Sequence, residues 1–196
     1  MGAGSVASYE TLALAKAGVY DITVYDDDVI ESHNVPMSLY RECDVGRRKV
    51  DALAERINYE TGITIKTYPE KYQDQPLGRT SLIVSIDIMD KAGCGRIPIW
   101  LKVKDSLPID VMIDTRIDRW LGEIYTIVPT LSRDQANYEQ TLHPDAEMAQ
   151  QVCGYHGIGS MAMAIAGNAV NSLFRYWNDG THDWRRAHRY DTLAPA

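Results

Sequence analysis

Cysteine is scarce in this sequence. Three occur in 196 residues, Cys43, Cys94 and Cys153, an odd number with no pair at C-x-x-C spacing. A disulfide framework or a four-cysteine zinc site is therefore not expected, and a reducing, cytoplasmic setting fits. The five histidines, His33, His143, His156, His182 and His188, show no metal-ligand spacing and read as surface or hydrogen-bonding residues. Basic charge is in deficit. The net charge is −7, and a nucleic-acid footprint needs a clustered basic excess, so no nucleic-acid partner is expected. No run of about 18 apolar residues occurs, so no membrane span is expected, and no secretory signal is visible. Internal repeats and low-complexity segments are also lacking. A small anionic ligand remains compatible with the charge, because backbone donors can hold a phosphate inside an acidic protein.

What is present suits one globular domain with a sizeable core: 45% hydrophobic and 24% charged residues. Ser8 to Ala17 reads as a helix stopped by Gly18. Ile22-Thr23-Val24-Tyr25 reads as a buried strand ending in the acidic cluster Asp26-Asp27-Asp28. Asp44 reads as the N-cap of a helix running to about Asn58, with Val50, Leu53, Ala54 and Ile57 on one face. Ile63 to Tyr68 and Leu82 to Ile86 read as strands, and Arg96 to Lys104 as helix. Val111 to Asp114 and Glu123 to Val128 read as two more strands, with Gly122 between them as a hairpin or bend. Thr130 to Gln151 reads as a long polar loop holding a short helix. Ile158, Ala162, Ile165, Ala169, Leu173 and Trp177 fall at the spacing of one long amphipathic helix. The residues after Asn178 receive no assignment. The expected organisation is one unit over 1–178 and a C-terminal tail over 179–196.

This alternation predicts an α/β fold: a Rossmann-like, mostly parallel sheet with helices on both faces. One element is missing. Gly2-Ala3-Gly4-Ser5-Val6-Ala7 fits G-x-G-x-x-[GA], a turn that should follow a buried strand, yet only Met1 precedes it. Without that first strand its neighbours would hold unpaired backbone groups, each costing roughly 1–3 kcal/mol. A truncated reading frame is expected; a strand supplied by another chain is the other repair.

In such a turn Gly2 permits the tight reversal, Gly4 lets backbone approach a phosphate, and the small Ala7 lets the helix pack closely. The helix N-terminus adds free N–H groups and partial positive charge. Asp26 lies 22 residues after Gly4, at a strand end, where a carboxylate can accept both ribose hydroxyls. To this point a dinucleotide-binding dehydrogenase and an ATP-binding adenylyltransferase fit equally.

The stretch Val24 to Asn34, followed by Asp44-Val45-Gly46-Arg47-Arg48-Lys49-Val50, resembles the ThiF/MoeB/HesA family, relatives of ubiquitin-activating enzymes. The family pattern runs D-x-D-x-V-x-x-x-N and then x-x-[IV]-G-x-x-K. Ile83-Val84-Ser85-Ile86-Asp87 resembles the family's fourth strand with its metal-binding aspartate. Ile113-Asp114-Thr115-Arg116 and Gly122 to Ile127 resemble its D-x-R and YT-hydrophobic hairpin. The polar loop ending at Cys153 resembles the crossover loop and cysteine of short phage- and plasmid-type members.

The resemblance implies ATP-dependent adenylation of a C-terminal carboxylate, that of a ubiquitin-like or sulfur-carrier protein, by a homodimer. The turn at Gly2 and Gly4 would hold phosphate and Asp26 the ribose. Asn34 would bond near the phosphates, Lys49 would neutralise their developing charge, and Asp87 would carry Mg²⁺. On spacing alone Lys49 fits a solvated helix lysine and Asp87 a turn cap. Asp28 fits a structural or a ligand role, and Asp114 a loop-fixing role with Arg116. Cys153, placed just before a helix, fits either an acyl-accepting thiolate or a small buried thiol.

Members usually carry Arg-Gln where Met37-Ser38 stand here, and Arg41, Arg47 and Arg48 are the candidate replacements for that arginine. The spacing from Asp87 to Arg96 is also stretched relative to the family. Two other readings share parts of the pattern. An NAD-binding oxidoreductase uses the turn and Asp26 but gives Lys49 and Asp87 no joint task. A degenerate, non-catalytic nucleotide-binding or dimerisation module is motivated by Met37-Ser38.

Overall fold

The computed structural model describes residues 1–72, 80–85, 95–105, 108–117, 121–142 and 158–189. Helix α1 (Ser5–Lys16) starts one turn before the predicted Ser8, because Ser8 N–H already closes on the Gly4 carbonyl at 3.0 Å. Gly18, at φ +89°, ends it as expected. Strand β1 (Thr23–Tyr25) pairs in parallel with β2 (Lys66–Tyr68). Strand β3 (Thr80–Val84) pairs in parallel with β4 (Ile109–Ile117), which pairs antiparallel with β5 (Leu121–Ile127).

Met1 and Gly2 lie between these two groups of strands. Gly2 N–H donates to the Tyr25 carbonyl, the Met1 ammonium to the Ile83 carbonyl, and Ser85 N–H to the Met1 carbonyl. The bonds from Met1 to Ile83 and from Ser85 to Met1 form a parallel ladder step. Met1 and Gly2 therefore fill the space between β1 and β3.

Helices cover both faces, as the sequence predicts. Val111, Ile113 and Ile124 point into a core shared with α1, α2 (Lys49–Thr61) and α5 (Ile158–Asp179). Met112, Tyr125 and Ile127 point the other way, against Trp100 and Val103 of α3 (Arg96–Asp105) and Tyr138 of α4 (Ser132–Glu139). The alternation is the period-two rule of a strand buried on both faces.

Two local expectations are corrected, and one segment that received no assignment is defined. Asp44 does not cap α2; Arg48 holds that position. The Asp44 carboxylate is taken by the Arg41 N–H and by the Arg41 and Arg47 guanidiniums, which close a 3-10 turn over Glu42–Asp44. Gly122 lies inside β5 rather than in a turn, and a Cβ there would sit only 2.5 Å from Ile165 Cγ1 of α5. The glycine allows close helix-on-sheet packing. The basic stretch Arg185–Arg189, within the residues set apart as a tail, forms β6 and pairs antiparallel with β5.

Candidate nucleotide site

The glycine turn is fixed from both sides. Gly2 adopts φ +95°, a conformation that strains any residue bearing a Cβ. Ala3 N–H donates to Asp26 Oδ2 at 2.7 Å, and the Tyr40 hydroxyl donates to the Ala3 carbonyl at 2.5 Å. A Cβ on Gly4 would meet nothing within 4 Å, so no neighbour among the described residues requires glycine there. The first turn of α1 follows with no side-chain cap and no acidic residue. Its leading N–H groups and partial positive charge thus remain available to an anion.

Asp26 stands at the end of β1, facing this turn. Besides Ala3 N–H it accepts Asp28 N–H at 2.9 Å on Oδ1. Each oxygen keeps a second lone pair for a ligand hydroxyl. Burial pushes the Asp26 carboxyl above the usual carboxylate range, and nearby Lys49 opposes that shift.

Lys49 reaches the same place from the start of α2. Ile30 N–H donates to the Arg47 carbonyl, Gly46 N–H to the Ile30 carbonyl, and Val29 bridges antiparallel to Arg48. This clip sets Lys49 N–H on the Asp28 carbonyl at 3.0 Å and Lys49 Nζ on Asp28 Oδ2 at 2.5 Å. The Tyr40 hydroxyl also touches the Lys49 carbonyl at 3.3 Å, joining the lysine's backbone to the turn. Lys49 is only 8% exposed, so it is not a solvated helix lysine. Carboxylate oxygens of Asp26, Asp27 and Asp28 lie within 4.8 Å of one another.

Asn34 sits in the 3-10 segment Ser32–Met37, where its Oδ1 accepts Glu31 N–H at 2.9 Å. Ser5 Oγ donates to the Met37 carbonyl at 2.5 Å, and Tyr9 OH donates to the Ser38 carbonyl at 3.1 Å. These bonds strap the segment to the first turns of α1. On its other side, a Cβ on Gly159 of α5 would fall 2.8 Å from the Pro36 carbonyl. The start of α5 therefore packs directly against the 3-10 segment. Arg41 and Arg47 are committed to Asp44 and Glu55. Arg48, beside Lys49, forms no ion pair among the described residues.

The structure thus brings together Gly2, Gly4, Asp26, Asp28 and Lys49, with Asn34 in the adjoining segment. Asp87 and Cys153 lie outside the described residues. The sequence reading missed Tyr40, which links turn and lysine, and Glu10, a buried acid of α1. The second had a visible signal: Glu10 shares a helical face with Val6 and Leu14. Asp114 is fully buried within β4 and binds Arg116, as expected, but also Arg96 and Tyr138.

Comparison with known proteins adds independent findings. The model described as the ThiF family matches residues 1–193. No curated protein matches the chain in sequence. A crystal structure of E. coli MccB with ATP is similar at TM-score 0.73 and 14% identity, over 97% of this chain and 59% of that one. The microcin C7 biosynthetic enzyme MccB in complex with N-formylated MccA is similar at TM-score 0.73 and 13% identity, over 97% and 60%. Selenomethionine PaaA is similar at TM-score 0.65 and 14% identity, over 96% and 67%. The chain spans about three fifths of the length of MccB.

Proposed function

The chain belongs to the ThiF family, and from that membership we propose that it uses ATP to adenylate a carboxylate. The observation that carries the proposal is the convergence of Lys49, buried against Asp28, with Asp26 and the uncapped turn of α1. A phosphate-rich ligand needs N–H donors and a cation, and a ribose needs an acceptor. All three occur here within one hydrogen-bonded unit.

In the proposed reaction the carboxylate oxygen attacks the α-phosphorus of ATP. The bond from that phosphorus to the bridging oxygen of the β-phosphate breaks, giving acyl adenylate and pyrophosphate. The turn at Gly2 and Gly4 holds phosphate, Asp26 accepts the ribose hydroxyls, and Lys49 offsets the charge that develops on the phosphates. Asn34 bonds near the phosphates from the strapped 3-10 segment. Asp87 would carry Mg²⁺, which would polarise the phosphoryl oxygens when bound. Arg48, placed beside Lys49 with no ion pair among the described residues, supplies the cation that Met37 does not.

The proposed acyl donor is the C-terminus of a ubiquitin-like or sulfur-carrier protein. MccB, whose crystal structures hold MccA, supports a peptide or protein carboxylate as the class. Cys153 is proposed to accept the acyl group as a thioester, and the working form to be a cytoplasmic homodimer. No helix among the described residues is long and apolar enough to cross a membrane.

The test is ATP–pyrophosphate exchange with the protein and a panel of carrier proteins ending in Gly-Gly. Exchange dependent on carrier and abolished in Lys49→Ala is expected. No exchange, with ATP binding unchanged in Lys49→Ala, would overturn the reading. Preference for NADH over ATP in a titration would replace it with the oxidoreductase.

A further inference from the structure

Glu10 is a buried carboxyl to which the nucleotide reading gives no task. It lies in α1, two turns past the glycine turn, with 2% of its surface exposed. The Ser85 hydroxyl donates to Glu10 Oε2 at 2.5 Å, and the same Ser85 oxygen lies 2.5 Å from Thr115 Oγ1. Ser85 N–H donates to the Met1 carbonyl, one residue before the turn. Glu10 Oε1 has no hydrogen-bond partner among the described residues.

These contacts join three elements. Glu10 belongs to the helix that carries the glycine turn. Ser85 is the residue that follows β3, and Thr115 belongs to β4. Arg96, at the start of α3, donates to the Thr115 carbonyl at 2.9 Å, so α3 is anchored on the same residue. The face of α1 around Glu10 holds Val6 and Leu14, and an apolar side chain would suit it better than a carboxyl with one unsatisfied oxygen. What the carboxyl adds is a direct tie to the end of β3. Burial raises its pKa to about 7, which keeps the tie largely neutral in mildly acidic solution.

We propose that Glu10 is a positioning residue, a strut that fixes the separation between the glycine turn on α1 and the C-terminal end of β3. The inference rests on the ATP reading above. In that reading the turn holds phosphate, and the C-terminal end of β3 lies at the carboxyl edge of the parallel strands, where α/β sheets receive their ligands. A ligand that spans both places depends on their separation, whereas a ligand held by the turn and Asp26 alone does not.

The test is calorimetric titration of the wild type, Glu10→Gln and Glu10→Ala with Mg-ATP and with AMP. Glu10→Ala is expected to lose about tenfold or more in Mg-ATP affinity, the order that follows from losing one hydrogen bond to a charged ligand group. Its AMP affinity should stay within about twofold. Glu10→Gln, which can still bond Ser85, should keep both. Should Glu10→Ala fail to fold, Ser85→Ala cuts the same tie from the β3 side and should give the same split. Equal losses for both ligands, or unchanged Mg-ATP affinity in a folded variant, would overturn the proposal. A wild type that binds no ATP would overturn the adenylation reading itself, and this strut with it. A wild type that binds ATP, with variants that show no split, removes only the strut.

Discussion

The Lys49 ammonium lies 2.5 Å from the Asp28 carboxylate, and the two partners differ in environment: the lysine side chain is 11% exposed, the aspartate 61%. In the proposed site an incoming phosphate would therefore compete with Asp28 for a cation already held in place. Lys49→Ala removes the cation, and a hydrogen bond to a charged group contributes roughly 1.5–3 kcal/mol. ATP affinity should fall about tenfold to a hundredfold, while the melting temperature changes little because Asp28 can turn to water. Asp28→Asn removes the competitor. It should tighten metal-free ATP binding several-fold, measured by titration in a chelator. Weaker metal-free binding in Asp28→Asn would show that the pair acts as a unit rather than as competitors.

Gly2, Gly4 and Asp26 were legible as a set because their spacings encode a turn–helix unit and one strand end; Lys49 joined them only through the family resemblance, since its spacing alone fits a solvated helix lysine. What spacing could not supply was the burial of Lys49, which depends on the isolated Val29–Arg48 bridge between the loop after β1 and the residue that opens α2. Asp44 misled as a helix cap because two arginines three residues away compete for its oxygens. Gly122 misled because a glycine that admits Ile165 of a distant helix reads, locally, like a turn. β6 was invisible because Arg-Arg-Ala-His-Arg has little intrinsic strand character; its pairing with β5 and the Arg185–Glu123 ion pair stabilise it in context. Tyr40 and Glu10 act through partners 37 and 75 residues away, which no local pattern records.

Asp114 should be among the costliest residues to replace. It is fully buried in β4 and accepts from Arg96 and Arg116 at 2.8 Å each and from the Tyr138 hydroxyl at 3.0 Å. Asp114→Ala leaves two largely buried guanidiniums without their shared anion, a loss of about 3–5 kcal/mol. Urea denaturation should show a large drop in midpoint. A change under about 1 kcal/mol would mean that the arginines find other acceptors, against the expected penalty for an unpaired buried charge.

Glu10 should make stability fall as pH rises through the neutral range. Burial raises its carboxyl from 4.5 to about 7, so the folded protein keeps a proton that the unfolded chain releases. The slope is negative wherever the native state binds more protons. The contribution is therefore complete below about pH 4.5 and is lost by the time pH passes about 7, a difference of roughly 3 kcal/mol. Asp26, also raised by burial, acts in the same direction. Asp44, lowered to about 2 by Arg41, acts oppositely, but only at more acid pH. The Met1 amine, lowered by burial, pulls the other way in the neutral range, so the comparison isolates Glu10: between about pH 5 and 8 the urea midpoint of Glu10→Gln should gain on that of the wild type as pH rises. Parallel profiles in the two proteins would assign the slope to another group.

Gly122→Ala tests how closely α5 is seated on the sheet. The added methyl would lie 2.5 Å from Ile165 Cγ1, and Ile165 is itself fully buried, with no open space to yield into. Overpacking of this kind costs about 1–3 kcal/mol. Ile165→Ala alone should cost about 2–5 kcal/mol, because it opens a cavity in the same place. The two changes are complementary: the new methyl enters the space that the isoleucine vacates. The double variant should thus be more stable than the sum of the single effects predicts, with a coupling above about 0.5 kcal/mol in a double-mutant cycle. Strict additivity would mean that β5 and α5 shift apart to accept the added methyl without strain. Gly122 would then be dispensable for the packing that seats the long helix on the sheet.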